Sequence, residues 1–147
     1  MTIGRVCKEN SITVPKKMVI ERYSHVMHIS STIEGEIKDN LDALDALVCA
    51  MPAGTVSGAP KIRAMEIIEE IEEEKRGFYS GCVGYFSGNG DMQTAITLRS
   101  ALIKNGKIHF QSGAGVVYDS VPEKEYEECL NKVQVLKKAL NGIYKYL

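Results

Sequence analysis

The chain has 147 residues, 44% of them hydrophobic and 25% charged, which suffices for one globular domain with its own core and falls short of two ordinary ones. Lys and Arg number 18 against 19 Asp and Glu, a formal net charge of −1. That balance leaves no electrostatic footprint for non-specific nucleic-acid binding and no polybasic membrane surface. No apolar run approaches the roughly 18 residues of a membrane span, and Met1-Thr2-Ile3-Gly4-Arg5 lacks the apolar stretch of a signal peptide. The cysteines, Cys7, Cys49, Cys82 and Cys129, are far apart and form no CxxC pair. Zinc and redox motifs are therefore disfavoured, and the expectation is a reduced, cytoplasmic chain whose thiols are mostly small buried packers.

In chain order, residues 11–36 read as mostly extended. Alternation from Tyr23 to Ile33 sets Tyr23, Met27, Ile29 and Ile33 on a core-like face and Val26, His28, Ser30 and Thr32 on a small polar wall. Leu41, Leu44, Leu47 and Val48 have helical spacing over 41–51, stopped by Pro52-Ala53-Gly54. A second helix is predicted to start near Ser57 to Pro60, with Ser57 as N-cap and Pro60 in the first turn, and to fray at Glu72–Glu74, where acid opposes the helix dipole. Three strands are predicted at roughly 81–87, 93–104 and 107–117, turned at Gly88-Asn89-Gly90-Asp91 and at the hairpin signal Asn105-Gly106. A last helix opens on a capping box of Ser120 and Glu123, with Pro122 in its first turn, and carries the apolar stripe Cys129, Val133, Leu136, Leu140, Ile143 and Leu147 to the C-terminus. Strands, two helices, a three-stranded meander and a helix, without linker or repeat, make an α+β fold with antiparallel pairing in a single domain over 1–147.

Four places could carry chemistry. A two-residue turn at Asn105-Gly106 pairs Lys104 with Lys107 and, counting back, sets Arg99 opposite Ser112, beside Gly113-Ala114-Gly115. A mid-strand guanidinium next to a segment nearly without side chains can hold a carboxylate bidentately, with free backbone N–H groups helping; the alternative is a solvated arginine beside a bulge. On the last helix, Glu125 and Glu128 stand at i, i+3, so both carboxylates can reach one point, as Mg²⁺ requires. Lys132 and Glu125 lie near the apolar stripe and should face protein; the alternative is an acidic first turn favouring the dipole. Gly54-Thr55-Val56-Ser57-Gly58-Ala59-Pro60-Lys61 is a small-residue loop entering a helix, either an anion site or a plain capped loop, and it lacks P-loop spacing. His28, on the polar face of its strand, is either a general acid/base or a satisfied strand histidine. His25 and His109 carry no such signal.

Several blocks together resemble the chorismate-utilising enzymes, and among them component I of anthranilate synthase. They are Ile3-Gly4-Arg5-Val6-Cys7, the stretch from Glu21 to His28, Pro52 to Lys61, Gly81-Cys82-Val83-Gly84-Tyr85-Phe86, Gly113-Ala114-Gly115, and Asp119 to Glu128 with Asn131-Lys132. The resemblance implies an antiparallel β-sandwich with flanking helices and an Mg²⁺-dependent conversion of chorismate, in which ammonia adds to the ring and pyruvate leaves. The ammonia would come from glutamine through a separate glutamine amidotransferase subunit. By the same resemblance Glu125 and Glu128 match metal-binding acids. Arg99, Gly113 and Gly115 match groups that hold the ligand's carboxylates. Thr55 matches a substrate-contacting residue, His28 the active-site histidine, Lys132 the lysine of the last-helix motif, and Tyr79 a pocket residue. The wording from Tyr23 to His28 favours the anthranilate branch over aminodeoxychorismate synthase. In the family a long upstream region precedes Gly-Arg-Val, whereas here only Met1-Thr2 precede Ile3. The resemblance therefore implies the C-terminal half of the catalytic domain, with an apolar face left for a missing half or a second copy, or else a non-catalytic chorismate-binding fragment.

Overall fold

The computed structural model describes residues 3–22 and 27–143. Tyr23, His25 and Val26 of the predicted extended run, and Leu147 with the Ile143 side chain at the end of the predicted stripe, lie outside the described residues. The chain divides into two units: Met1–Ala50 with Phe86–Met92, and Met51–Tyr85 with Gln93–Leu147.

The first unit begins with a 3₁₀ turn, Ile3–Arg5, whose Ile3 carbonyl accepts from the Val6 and Cys7 N–H groups. Cys7 pairs with Ile37, and Lys8 N–H donates to the Glu36 carbonyl at 2.8 Å. Gly35 is required here, because a Cβ would sit 2.7 Å from Cys7 Sγ. Val6 and Cys7, 8% and 5% exposed, are the buried hydrophobic residues among those described. The Lys8 ammonium sits 2.7 Å from both Glu36 and Asp39, and these hydrogen bonds, Asp39 foremost, hold it well above the usual lysine range. All four cysteines are free, but Cys7 alone is buried and Cys82 is exposed, a correction to the expectation of mostly buried thiols.

Strands β1 (Thr13–Arg22) and β2 (Met27–Glu34) form an antiparallel hairpin. The register shifts twice along β1, between Thr13 and Lys16 and between Lys16 and Val19. At the second shift Met18 takes φ 52°, and its amide donates to Ser31 Oγ at 3.0 Å. The expected core face is exposed: Met27 is 65% and Ile29 68% accessible. A two-stranded ribbon pairs only with itself and has no second layer of its own to bury a face against. Helix α1 (Ala43–Ala50) starts where Asp42 Oδ1 accepts from the Leu44 and Asp45 N–H groups, an N-cap at the place the spacing predicted.

The second unit carries the helices α2 (Gly54–Ser57) and α3 (Lys61–Ile71). Ser57 does not cap α3: its hydroxyl donates back to the Ala53 carbonyl, and Pro60 occupies the N-cap. The hairpin β3 (Cys82–Phe86) with β4 (Met92–Ile96) turns at Ser87–Asp91, where Ser87 N–H donates to the Asp91 carbonyl; its tip, Phe86–Met92, groups with the first unit. Strands β5 (Ala101–Lys104) and β6 (Lys107–Phe110) pair antiparallel in the expected register, Lys104 opposite Lys107, with Asn105 and Gly106 at φ 51° and 69°. Helix α4 runs Pro122–Ile143. The Ser120 hydroxyl accepts from the Val117 N–H rather than closing the expected capping box.

The meander needs a further correction. The single strand predicted at 93–104 is broken at 97–100. Thr97 continues the β3–β4 pairing by exchanging hydrogen bonds with Ser80 and Gly81, then Leu98 N–H turns back to the Ile96 carbonyl and Arg99 takes φ 51°. Arg99 in the left-handed region, directly after the Leu98 turn, takes the chain out of the β3–β4 ladder, and the described residues form three two-stranded sheets. β6 likewise stops at Phe110, and residues 111–117 have no regular structure. The α+β class holds in this form.

Candidate functional site

The second unit converges on Arg76, which follows the acidic end of α3. Its guanidinium forks onto the Glu72 carboxylate, Nε to Oε2 at 2.8 Å and Nη2 to Oε1 at 2.5 Å. The pair is spaced i, i+4 beyond the end of α3, where the chain has left the helix at Glu72 and bends back on itself. Nη1 donates to the Val56 carbonyl at 2.6 Å and to Ser80 Oγ at 3.3 Å. The fork spans these acceptors because a planar guanidinium carries five donors fixed in one plane. The Arg76 hydrogen bonds hold the Glu72 carboxyl below its ordinary range, and Glu72 in turn raises Arg76.

Through these bonds Arg76 ties two chain segments together. On one side is α2, whose residue Thr55 precedes Val56. On the other is the turn at 77–81, where Tyr79 N–H donates to the Arg76 carbonyl and the Tyr79 ring lies 5.8 Å from the Arg76 Cζ. Ser80 and Thr97, 7% and 8% exposed, are the buried polar residues among those described. Their backbone exchange fixes the turn two residues from Arg99.

A second line of contacts leads from Tyr79 to α4. A Cβ built on Gly113 would lie 3.2 Å from the Tyr79 hydroxyl, so the glycine gives the phenol room. The Gly113 carbonyl accepts from Lys132 Nζ at 2.9 Å, and the same ammonium contacts Glu128 Oε1 at 2.6 Å. An open cavity of about 310 Å³ lies along this line, walled by Glu72, Glu73 and Glu74 and by Arg76, Tyr79, Gln111, Ser112 and Gly113. The Ser112 hydroxyl is buried and has no hydrogen-bond partner among the described residues. The wall thus presents a phenol and three carboxylates, together with a guanidinium whose donors are already taken by Glu72, Val56 and Ser80.

Of the residues expected from the sequence, Tyr79, Gly113, Lys132 and Glu128 are linked by these contacts, and Thr55 is joined to them through Val56 and Arg76. Glu125 is half-buried one turn before Glu128 on α4. Arg99 is exposed at the kink between β4 and β5, not in mid-strand, and Gly115 is exposed in the 111–117 segment. His28 is exposed on β2 of the first unit, opposite Glu21 in the ladder. Arg76 and Glu72 escaped the sequence reading, although the i, i+4 spacing was available; nothing local marks Ser80 and Thr97, whose burial depends on pairing across the β3–β4 hairpin.

Among the described residues no three His, Cys, Asp or Glu side chains form a closed metal cage. Two carboxylates on one helical turn nonetheless fit Mg²⁺, which takes one or two carboxylates and completes its shell with water and ligand oxygens. Glu128 already draws a cation to its carboxylate, the ammonium of Lys132. Among the described residues no helix is long and apolar enough to cross a membrane.

The contacts among Arg76, Tyr79, Gly113 and Lys132 on an α+β scaffold, with Gly-Thr-x-Ser-Gly and Gly-Ala-Gly segments in the same unit, lead to a class. The chain belongs to the family of chorismate binding enzymes, whose family pattern matches residues 1–138. It is 57% identical over 137 residues to anthranilate synthase component 1 of Cereibacter sphaeroides, covering 93% of this chain and 27% of that protein. Its structure matches anthranilate synthase component I from Streptococcus pneumoniae with a TM-score of 0.86 at 50% identity, over 89% of this chain and 30% of that one. A structure described as a putative 2,3-dihydroxybenzoate-specific isochorismate synthase from Bacillus anthracis also matches at 0.86, with 32% identity over 95% of this chain and 37% of that one. The chain spans less than a third of the length of the curated relatives it matches.

Proposed function

We propose that this chain supplies the carboxylate- and metal-binding part of an anthranilate synthase component I active site, converting chorismate and ammonia to anthranilate and pyruvate. The observation that carries the reading is the set of contacts from Val56, next to Thr55, through Arg76, Tyr79, Gly113 and Lys132 to Glu128, in a chain 57% identical to such an enzyme. In this reading Arg99 holds one ligand carboxylate as a guanidinium fork. Lys132 and the backbone N–H groups at Gly113 and Gly115 hold the other. The Tyr79 hydroxyl donates to a ligand oxygen, Thr55 orients the ring, and His28 moves the proton released on elimination. Glu125 and Glu128 hold Mg²⁺, which when bound offsets the negative charge of the ligand's carboxylate. In the complete enzyme the three hairpins take their places in a layered antiparallel sandwich, a glutamine amidotransferase subunit delivers the ammonia, and the protein works in the cytoplasm.

The apolar residues exposed on β1 and β2 favour a second reading, in which the chain binds chorismate without turnover until another half or a second copy covers them. Both readings are tested by incubating the purified chain with chorismate, Mg²⁺ and an ammonium salt while following anthranilate fluorescence, with titration calorimetry of chorismate in parallel. Fluorescence that EDTA abolishes supports the enzyme. Binding without fluorescence supports the module. A product that keeps its pyruvyl group points to the aminodeoxychorismate branch. Chorismate that does not bind at all refutes the assignment of the site. Glu125→Gln is expected to abolish the Mg²⁺-dependent part of binding, and unchanged binding by that variant sinks the metal assignment.

A further inference from the structure

We propose that Arg76 is a positioning residue of the chorismate site: it straps the α2 turn bearing Thr55 to the 77–81 turn bearing Tyr79 without touching the ligand itself. The inference rests on the reading of this site as the chorismate site. It adds a residue that reading does not use.

The geometry leaves little slack. The guanidinium commits Nε and Nη2 to the two Glu72 oxygens and Nη1 to the Val56 carbonyl and Ser80 Oγ. The cation is three-quarters buried, with a side-chain exposure of 25%, so these bonds form away from full solvent competition. The Val56 carbonyl belongs to the residue after Thr55, in a helix of only four residues. So short a helix has no cooperative stability of its own, and Ala53 at its N-cap makes no side-chain hydrogen bond. The turn keeps its own bonds to Ala53 and Gly54, and the Arg76 bond adds the tie that sets it against the turn bearing Tyr79. On the other side, the guanidinium lies over the Tyr79 ring and bonds Ser80, which in turn pairs with Thr97.

Charge alone is not enough for such a strap. Lysine is a point charge on a flexible stem and cannot hold both Glu72 oxygens and the Val56 carbonyl at once. Arg76→Lys separates a strap from a simple counter-ion. We expect Arg76→Lys to weaken chorismate binding in the presence of Mg²⁺ about ten-fold and to speed amide exchange at Val56, Ser57 and Gly58. The α3 amides between Ala64 and Ile71 should stay at wild-type rates. Glu72→Gln, which keeps the arginine but halves its anchorage, should give the same pattern more weakly, and it serves if the lysine variant folds poorly. Full rescue of binding by lysine overturns the strap. Weakened binding with unchanged exchange at 56–58 also overturns it, because Arg76 then contacts the ligand directly. Faster exchange with unchanged binding removes the positioning role. A wild-type chain that does not bind chorismate refutes the reading of the site instead; the exchange arm then judges the strap alone, and unchanged amides refute it.

Discussion

Gly113→Ala tests the contact between the 111–117 segment and Tyr79 with a single methyl group. The new Cβ would stand 3.2 Å from the Tyr79 hydroxyl, a few tenths of an ångström inside comfortable contact. The Tyr79 ring gives way only by changing its stacking under the Arg76 guanidinium, 5.8 Å from Cζ. Nor can the glycine retreat freely, since its carbonyl accepts from Lys132. The strain therefore falls on the tyrosine rotamer, at a cost of about 0.5–1.5 kcal/mol. If binding needs the wild-type tyrosine position, at about 1.4 kcal/mol per factor of ten this weakens chorismate binding by at most roughly two- to twelve-fold. The assay is calorimetric titration of chorismate with Mg²⁺ into wild type, Gly113→Ala, Tyr79→Phe and the double variant. Removing the hydroxyl removes the collision, so alanine should cost much less when Tyr79→Phe is already present, a coupling of order 1 kcal/mol. Additive effects of the two substitutions would refute the contact and with it the link from Tyr79 to α4.

The remaining predictions concern stability. Gly84→Ala drives a Cβ against the Gln93 carbonyl oxygen and to 2.7 Å from Thr94 Cα; both are backbone, so the β3–β4 pair must open, at about 1–3 kcal/mol or more. Gly88→Ala, with nothing within 4 Å, is the control, and a denaturant midpoint that falls equally for both contradicts the pairing. Because Glu72 titrates below its usual 4.5 in the folded chain, its contribution is present above that value and is lost as pH falls through the lower folded one. The difference in melting temperature between wild type and Glu72→Gln should therefore hold from neutral pH down to the carboxylate range and vanish in strong acid, once Glu72 is protonated in the folded chain as well. A difference that persists in strong acid refutes the Arg76–Glu72 fork as its source.

What the sequence made legible was local. Asn105-Gly106 dictated a two-residue turn because both residues accept positive φ, and the register followed from it. Helices α1, α3 and α4 were legible from their spacing, whereas the four-residue α2 reads as loop; the extended character of 11–36 was legible, but not that it folds into a hairpin. Arg99 was misplaced because its strand is stopped by a hydrogen bond from Leu98 back to Ile96 and by its own left-handed backbone, neither of which alternation reveals. Ser57 and Ser120 have the residue type of a cap, yet each hydroxyl found a nearer backbone partner, Ala53 and Val117. The alternation in β2 was real but announced a face, not its burial. At the candidate site, Glu128 and Lys132 could be paired by counting along one helix; the Lys132 bond to Gly113 and the Arg76 bond to Val56 join segments 19 and 20 residues apart, and no helical or strand periodicity encodes those.

The two register shifts in β1 have a consequence for how the β1–β2 ribbon can grow. On its outer edge β1 lacks a donor at Pro15 and is bent at Met18 by positive φ, and an edge interrupted in this way is a poor template. The β2 strand, Met27–Glu34, contains no proline, and the extra residues at both shifts fall on β1. Among the described residues β2 pairs with no strand other than β1, and its course is regular along the side away from β1. A strand recruited from elsewhere therefore has one side on which to zip, and the ribbon grows in a single direction, past His28 rather than past Lys16 and Lys17.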